Sequence, residues 1–315
     1  MITCFGEVLV DMLAGRIHLG DPGADDCYYP VAGGAPANVA VAVAKLGGSP
    51  KFIGGISRDR FGRFLLRELR RFGVETTHMH ETNAPTALAI VSIDEHGERA
   101  FSFYGENAAH LDVPATAIPM GQLGDIRHFS SNTLTVPSMR EATSVFISQG
   151  VVSFDINYRR GLWPEPAEAA AVIDDFAVRS DVIKTSLEEL NELFPGSRSE
   201  STVRAWLGEN ASVVVITDGG NPITVQTRGN TQQFTPPAVK AVDTTAAGDA
   251  FVGGLLHAMS QAESFAVWSA DVDRVVDSAK FAAGCGALAV TRPGAFPSLP
   301  TLAEVEEFHS TAGLL

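Results

Sequence analysis

Short runs of apolar residues recur along the chain, and each run ends in polar residues or glycine. The runs are rich in Val, Ile and Phe, which favour β-strands. We predict that several of them are buried strands: TCFGEVLVDM, PKFIGGI, ALAIVSID, RHFSSNTL, GVVSFDINY, SDVIKTS and ASVVVITDGG. The first of these runs is predicted to form the first strand of the fold.

Segments with helical periodicity separate these runs. The clearest is RFGRFLLRELRRFG, which has arginines on one face and an apolar stripe on the other, formed by Phe61, Phe64, Leu65, Leu69 and Phe72. From residue 150 to residue 217 the predicted order is strand, helix (about 166–178), strand, helix, helix, strand. This alternation generates parallel β-α-β units, so we predict an α/β fold with an open, doubly wound, mostly parallel sheet.

In sheets of this kind, ligands bind beyond the carboxyl ends of the strands. The polar residues that close the apolar runs are therefore candidate site residues. They are Asp11, Asn157, Arg159, Glu189, Thr217 and Asp218.

Residues 84–108 follow a different pattern, because apolar and polar residues alternate around the turn DEHGE. This alternation is typical of an antiparallel hairpin with one wet face, which cannot belong to a parallel core. Together with residues of about 12–32, the hairpin is predicted to form a small sheet over the mouth of the larger one. We expect a single domain, 1–315, with this sheet as a lid.

Composition excludes several classes of protein. The 315 residues carry 23 Lys and Arg against 37 Asp and Glu, so the net charge of −14 argues against nucleic acid or an anionic membrane as partner. Three widely spaced cysteines, Cys4, Cys27 and Cys285, make a disulfide framework or a zinc ribbon improbable. The N-terminus lacks the pattern of a signal peptide, and no apolar stretch is long enough to span a bilayer. A cytoplasmic location is expected.

The stretch DTTAAGDAF, residues 243–251, places small residues at the start of a helix. Phe251, Leu255 and Met259 recur at helical spacing, so the helix is predicted to begin near Ala247. Free amides and the positive end of the helix dipole meet there, and small side chains let an anion approach. Asp249 alone could merely complement the dipole, but the combination of Asp243, two threonines and a small-residue turn favours binding of terminal phosphates.

A second motif is GGAPANVAVAVAKLGG, residues 33–48. Pro36 suits the first turn of a helix, and Gly47 and Gly48 end it. In isolation, Gly33–Gly34 would be only a turn and Asn38 only a local hydrogen bonder. Together with Asp11, however, these residues supply the donors and acceptors that recognition of several hydroxyl groups requires.

The chain resembles the ribokinase-like carbohydrate kinase family and is most similar to its fructokinase branch. The resemblance covers almost the whole length, from CFGEVLVDM and GGAPANVAVAVAKLGG to DINYRRGLW, DTTAAGDAF and GALAVTRPGAFPSLP. It implies a Rossmann-like α/β domain with a β-sheet lid, ATP as phosphoryl donor, a sugar as acceptor, Mg²⁺ as cofactor and K⁺ as activator.

The resemblance also implies roles for individual residues. Asp249 would be the catalytic base, Arg159 would face the sugar or the transferring phosphate, and the anion hole would be formed by Ala246, Ala247 and Gly248. Sugar-binding residues would be Asp11, Gly33, Gly34, Asn38, Arg159 and Asp249, with Phe101 or Phe103 from the lid. Nucleotide-binding residues would be Lys184, Ser186, Glu189, Thr217, Gly219, Gly248 and Ala283. Glu189 would place Mg²⁺ through water, and the potassium loop would comprise Asp243, Thr245, Ala289, Arg292, Gly294 and Ser298.

The chain departs from the family pattern at three positions. Ala246 stands where glycine is usual, Pro222 replaces a turn glycine in ITDGGNP, and DIN replaces Asp-Pro-Asn.

At a helix N-terminus, the dipole and nearby cations are expected to stabilise the ionised form of Asp249, which would make it a weak base. Phosphoryl transfer tolerates a weak base, because its transition state is loose and needs little early proton removal.

The predicted reaction is ATP-dependent phosphorylation of a hexose, with fructose at its 6-hydroxyl as the leading acceptor. A kinase for 2-keto-3-deoxygluconate or for a nucleoside is the enzymatic alternative, since Arg159 could serve an acid as well as a neutral sugar. A non-catalytic sugar-binding regulator is the alternative outside enzymes. The lid would exclude water on closure, and its outer apolar face is predicted to pair with a second copy as a homodimer.

Overall fold

The structure is a computed structural model that describes residues 1–15, 19, 27–93, 99–163 and 165–312. In chain order its strands are β1 (Ile2–Phe5), β2 (Leu9–Ala14), β3 (Tyr28–Gly33), β4 (Lys51–Ile53), β5 (Gly55–Ser57), β6 (His80–Thr82), β7 (Leu88–Ile93), β8 (Arg99–Tyr104), β9 (Ile126–Ser130), β10 (Val151–Asp155), β11 (Val182–Ser186), β12 (Val213–Thr217), β13 (Ile223–Thr227) and β14 (Thr231–Phe234).

We number the helices in the same way. They are α1 (Ala35–Lys45), α2 (Arg60–Arg71), α3 (Pro137–Phe146), α4 (Pro166–Ala177), α5 (Leu187–Leu193), α6 (Arg198–Gly208), α7 (Ala247–Ser260), α8 (Phe265–Ser269), α9 (Val272–Ala289) and α10 (Leu302–Ala312). None of the helices in the described ranges is long and apolar enough to cross a bilayer.

The central sheet has the strand order β14-β13-β12-β11-β10-β9-β1-β4. Pairing is parallel from β4 to β12, and β13 and β14 add an antiparallel edge. The predicted order of elements between residues 150 and 217 is confirmed, with α4 at Pro166–Ala177. The mostly parallel, doubly wound α/β sheet is therefore confirmed as well.

Helices cover both faces of this sheet because its strands are apolar on both sides. In β12, Val213 and Val215 point into the core that contains α1, α2, α7 and α9, whereas Val214 points into the core that contains α3 to α6. All three side chains are fully buried. A strand that is buried on both faces has a continuous apolar run in its sequence instead of alternating apolar and polar residues. The run in ASVVVITDGG was predicted to be a strand for this reason.

The prediction of a single first strand was wrong. TCFGEVLVDM forms two strands in two different sheets, β1 in the central sheet and β2 in the small one. The break between the two strands comes at Gly6, whose backbone φ of 147° is one that residues other than glycine rarely adopt. Asp11 consequently lies in the middle of β2, not at the carboxyl end of a core strand as we expected.

The small sheet has the strand order β3-β2-β7-β8. The predicted hairpin is confirmed by the antiparallel pairing of β7 with β8, although its turn, residues 94–98, lies outside the described residues. The predicted contribution of residues 12–32 is made by β2 and β3, and the segments between them at 16–18 and 20–26 are likewise outside. That this sheet closes as a lid, and that 1–315 is a single domain, stay predictions.

Candidate active site

The first turn of α7 carries the predicted base. Asp249 is 7% exposed, and its Oδ2 accepts a hydrogen bond of 2.7 Å from Nδ2 of Asn38 on α1. Asn38 is itself buried, and its Oδ1 has no hydrogen-bond partner among the described residues. Asn38 was predicted as a sugar-binding residue, and the structure adds that its amide orients the carboxyl group of Asp249.

Burial determines the protonation of Asp249. Loss of solvation raises its pKa to about 7, with a further rise from Asp155, while Asn38, Arg159 and Lys184 lower it. Our expectation that the helix N-terminus would keep this pKa low was therefore wrong. The side chain is almost fully buried, so desolvation outweighs the dipole and the nearby cations. A pKa near 7 suits a general base at neutral pH.

A buried ion pair lies behind the first turn of α7. Lys184 in the middle of β11 and Asp155 at the end of β10 are 3.1 Å apart, between Nζ and Oδ1, and both are almost fully buried. A Cβ on Gly248 would lie 3.2 Å from the same Nζ, so the ammonium group reaches the start of the helix. Burial opposes its charge, but Asp155 and Glu189 raise the pKa of Lys184. Lys184 is thus a fixed cation at the predicted anion hole.

The backbone of the predicted anion hole is only partly free. The amide of Ala247 donates to the carbonyl of Thr244 at 3.2 Å, so it is engaged in a turn and not open as predicted. No side chain caps α7, which leaves the first-turn amide of Gly248 beside Lys184. Ala246 has a φ of −107° and a methyl group buried in the core, so alanine fits where the family usually has glycine.

The predicted acceptor residues meet where β2, β3 and α1 converge. The Asp11 carboxylate packs on Gly33 so closely that a Cβ there would collide with it. Burial raises the pKa of Asp11 to about 7, with Asp249 and Asp243 adding to the rise. Gly34, at a φ of 110°, is the residue before α1, and a Cβ on it would lie 2.6 Å from the Glu7 carbonyl oxygen. Glycine is therefore required at both positions, because the Asp11 carboxylate and the Glu7 carbonyl oxygen leave no room for a side chain.

The register of the small sheet puts Phe103 on the same face as Asp11. Asp11 pairs with Ala89, and Ala89 pairs with Phe103. Phe103 is 41% exposed, and its ring meets that of His110 edge-on with centroids 6.1 Å apart. Phe101 occupies β8 two residues earlier.

A cavity of about 880 Å³ has Phe103 in its wall, whereas Asp11, Gly33, Gly34, Asn38 and Asp249 do not line it. Its lining includes Phe103, Asn107, His110, Asn132 and Trp163. Burial lowers the pKa of His110 to about 4, so this ring is neutral at pH 7. The lining contains Glu106 and Asp112, but it has no Lys or Arg within the described ranges.

A second cavity, of about 700 Å³, opens at the start of α7, where Ala247, Gly248 and Phe251 line it. Arg159 lines it together with every residue predicted to bind the nucleotide, namely Lys184, Ser186, Glu189, Thr217, Gly219, Gly248 and Ala283. The segment Pro236–Val239 also lines this cavity, and no pattern in the sequence had indicated it.

Glu189 has two sets of contacts. Its Oε2 accepts from the Ser186 amide at 2.8 Å, while the Ser186 hydroxyl accepts from the Glu189 amide at 3.1 Å, which forms a capping box at the start of α5. Its Oε1 lies 3.5 Å from Arg159. Within the described ranges, no group of three or more His, Cys, Asp or Glu side chains could hold a metal ion. A divalent ion here would need ligands from the nucleotide or water.

The residues predicted as the potassium loop are gathered around Asp243. Its Oδ2 accepts from the Gly294 amide at 2.8 Å, and its Oδ1 accepts from the amide and hydroxyl of Thr245 at 2.9 and 2.5 Å. The Ala289 carbonyl accepts from the Arg292 amide at 3.3 Å, and the Ser298 hydroxyl donates to Ala295 at 2.8 Å. Asp243 thus contacts Thr245 and Gly294, and the Ala289 carbonyl and the Ser298 hydroxyl already have partners. Binding of potassium by these residues stays a prediction.

Sequence reasoning missed three polar residues around this site. Glu7 accepts a hydrogen bond from the Ala35 amide at 3.2 Å, and Asp155 pairs with Lys184. Lys45 at the end of α1 donates to the carbonyls of Phe296, Pro297 and Leu299. Glu7 and Asp155 each interrupt an apolar run, CFGEVLV and VVSFDIN, and a charge inside such a run was the signal available.

A mostly parallel central sheet, a separate small sheet and a cavity at a helix N-terminus define a class of protein. It is the class of ribokinase-like α/β kinases.

Comparison with known proteins agrees with this class. The sequence pattern of the pfkB family carbohydrate kinases matches residues 1–302, and the chain belongs to that family. A fructokinase from Escherichia coli is 33% identical over 312 residues, which span 97% of this chain and 98% of that protein. The predicted family and kinase activity are confirmed.

Two solved structures are similar over nearly the whole chain. The fructokinase from Xylella fastidiosa with bound ATP has a TM-score of 0.92 and 36% identity, covering 99% of this chain and 98% of that one. A double mutant of the fructokinase from Vibrio cholerae O395, with fructose, ADP and potassium ion bound, has a TM-score of 0.87 and 35% identity, covering 98% and 97%.

Proposed function

We propose that this enzyme transfers the γ-phosphoryl group of ATP to the 6-hydroxyl of fructose. The observation that carries the proposal is the place of Asp249, whose carboxyl group is oriented by Asn38 at the start of α7 between the acceptor residues and the cavity lined by Lys184. A base held there faces an alcohol on one side and the phosphoryl donor on the other. The similarity to fructokinases supports fructose as the alcohol.

The reaction follows from these positions. The bond between Pγ and the β,γ-bridging oxygen breaks as the bond from the sugar oxygen to Pγ forms, and ADP leaves with the electron pair. Asp249 accepts the hydroxyl proton. Negative charge on the γ-phosphoryl oxygens is balanced by Lys184, by the amide at Gly248 and by Arg159, which meets the main demand of a loose transition state.

We further propose Mg²⁺ as the divalent ion and K⁺ as an activator. Glu189 lines the nucleotide cavity and would orient water on Mg²⁺, which suits an ion that keeps several waters. Asp243 precedes Ala247, the first residue of α7, by four residues, so a cation bound there would lie beside the predicted anion hole. When bound, Mg²⁺ neutralises phosphate charge.

A neutral sugar suits the acceptor side better than an acid. The cavity beside Phe103 has acidic side chains in its lining but no Lys or Arg within the described ranges, and the predicted acceptor residues include the carboxyl groups of Asp11 and Asp249, which interact with each other. An acidic acceptor would bring a further negative charge to this region without a partner, which is costly. Arg159 lines the nucleotide cavity instead. We therefore favour fructose over 2-keto-3-deoxygluconate.

The experiment is a measurement of ADP release with fructose, other hexoses, 2-keto-3-deoxygluconate and nucleosides, with and without Mg²⁺ and K⁺. We expect Mg²⁺-dependent release with fructose, and ¹³C NMR of the product should place the phosphate on C6. Faster release with the acid or with a nucleoside would overturn the choice of acceptor. Sugar binding without ADP release from any acceptor would favour the regulator.

We also propose a homodimer through the small sheet. Met12, Ile90, Tyr28 and Tyr104 lie on the face opposite Asp11, and Tyr28 and Tyr104 are 40% and 64% exposed. Aromatic residues are enriched at protein interfaces. Sedimentation at micromolar concentration should give a dimer, and Tyr104→Glu should give a monomer. A wild-type monomer would contradict this.

A further inference from the structure

We propose that Glu7 is a positioning residue of the acceptor site, whose carboxyl group fixes the Gly33–Gly34 turn and the start of α1, and through α1 the side chain of Asn38. This inference rests on the proposed function, because it assigns Glu7 to sugar binding by that same site. Glu7 follows β1 and precedes β2, so it lies where the chain crosses from the central sheet to the small one.

The contact of Glu7 with α1 replaces a missing cap. Gly34 precedes α1 and has no side chain to accept a hydrogen bond, and α1 has no acidic residue in its first turn. Oε1 of Glu7, 28 residues earlier in sequence, accepts from the Ala35 amide at 3.2 Å. A carboxylate at a helix N-terminus both satisfies an amide and complements the dipole.

The backbone of Glu7 interlocks with the same turn. A Cβ on Gly34 would lie 2.6 Å from the Glu7 carbonyl oxygen, and a Cβ on Gly6 would lie 2.7 Å from the Pro36 ring. The turn that is predicted to bind the sugar is therefore packed against the backbone of residues 6 and 7, with no room for a side chain at Gly6 or Gly34.

The other neighbour of the carboxyl group is Asn132. Its side-chain amide favours the ionised form of Glu7, and Asn132 also lines the cavity beside Phe103. Oε2 of Glu7 is buried, and no group of the described residues reaches it at normal hydrogen-bond geometry. Glu7 thus donates no bond to the cavity wall; it is bonded to the start of α1 and interacts electrostatically with Asn132.

Burying a carboxyl group at position 7 costs free energy, which a residue that only fills space would not need to spend. Glu7 is 4% exposed, and burial raises its pKa to about 7 against the stabilising bonds from its own amide, Asn132 and Ala35. Asp249 adds to this rise. An apolar residue of the same volume avoids this desolvation. The cost is explained if the carboxyl group sets the geometry of α1, since α1 carries the Asn38 amide that binds Asp249 at 2.7 Å.

The experiment compares three variants of Glu7 in the full-length enzyme. Glu7→Met keeps the unbranched shape and removes both oxygens, and Glu7→Asp keeps the charge but withdraws it by one methylene. Glu7→Gln keeps an oxygen for the Ala35 amide. We expect Glu7→Met and Glu7→Asp to raise KM for fructose about tenfold, the effect of losing one cap. KM for ATP should stay within twofold of wild type in both variants. Glu7→Gln should keep KM for fructose within threefold of wild type.

The control is Asp181→Ala, which removes a carboxylate that accepts from the Val152 amide at 2.8 Å near the opposite end of the sheet. It should change neither KM. A purely structural role for Glu7 would move both KM values together or lower only the fraction of active enzyme. Either result, or a Gln variant as impaired as Met, overturns the inference.

Amide hydrogen exchange separates this inference from the proposed function, because it requires no turnover. The amides of Ala35, Ala37 and Asn38 should exchange about tenfold faster in Glu7→Asp than in wild type, with Glu7→Gln close to wild type. Unchanged exchange in Glu7→Asp would overturn the role of Glu7 even if fructose is the substrate. Faster exchange in an enzyme that does not phosphorylate fructose would leave the positioning role standing and reject fructose.

Discussion

The acceptor residues and the nucleotide cavity differ in charge. On the acceptor side lie the buried carboxyl groups of Glu7 and Asp11, each with a pKa raised to about 7, and the cavity beside Phe103 has no Lys or Arg in its described lining. On the nucleotide side, Lys184 and Arg159 line a cavity next to the amide of Gly248. Asp249 lies between the two sides.

This difference matches the two substrates. Carboxylates and amides recognise hydroxyl groups, because each hydroxyl both donates and accepts a hydrogen bond, while fixed cations and amides recognise phosphate. The same difference predicts which substrate a substitution affects. A substitution on the acceptor side should disturb the sugar, and one on the nucleotide side should disturb the phosphoryl donor.

The largest effect is expected at Asp249. Asp249→Asn keeps the shape and can still bond to Asn38, but it removes the proton acceptor, so kcat should fall by about 10²- to 10⁴-fold. Calorimetry should find fructose and ADP still bound, each within about fivefold of wild-type affinity. Near-normal turnover in this variant would remove Asp249 from the reaction.

Lys184 should give the next largest effect, confined to the nucleotide side. Lys184→Met removes the cation beside Gly248, and loss of one such group costs about 10²- to 10³-fold in kcat. KM for fructose should change less than threefold. Because Lys184→Met leaves Asp155 unpaired, Lys184→Met/Asp155→Asn is the control for stability: it should recover the melting temperature but not the rate. Recovery of the rate would assign Lys184 a structural role only.

Asn38 should shift the pH dependence of the reaction. Its amide favours the ionised form of Asp249, so Asn38→Leu should raise the pKa of that carboxyl group by about one unit and move the acid limb of kcat/KM to higher pH. Asn38→Asp should move the limb further, since it places a second carboxylate 2.7 Å away, at the present Nδ2 position. An unmoved limb in both variants would separate Asn38 from Asp249.

Two neighbouring substitutions should give the smallest and most contrasting effects. Ala246→Gly should change kcat less than about twofold, because a φ of −107° is open to alanine and no strain is relieved. Gly248→Ala should cost about tenfold, since its Cβ would lie 3.2 Å from Lys184 Nζ and crowd the phosphate site. Equal effects in steady-state assays would contradict the placement of Lys184.

Local pattern predicted much of this fold, because buried parallel strands read as apolar runs and α7 follows from Phe251, Leu255 and Met259 at helical spacing. The split of the first run into β1 and β2 was not predicted, because only the conformation of Gly6 and the pairing partners of each strand distinguish two strands from one.

For the site, sequence motifs brought together residues that the structure also gathers, such as Asp249 with Asn38. They did not predict the pKa of Asp249, because desolvation depends on everything packed around a group. Glu7 and Asp155 were missed for a related reason: neither is at the end of a run, and their partners, Ala35 and Lys184, are 28 and 29 residues away.

The central claim is that the Asp249 carboxylate takes the proton of the acceptor hydroxyl. Its most direct test is the pH profile of kcat/KM for fructose in wild type and in Asp249→Asn. The pKa of about 7 predicts that wild-type kcat/KM falls as pH drops below 7, by about tenfold per unit, because the protonated carboxyl group cannot accept a proton. In Asp249→Asn the residual activity should lack this limb. A wild-type profile that stays flat from about pH 5.5 to pH 8 would contradict the account.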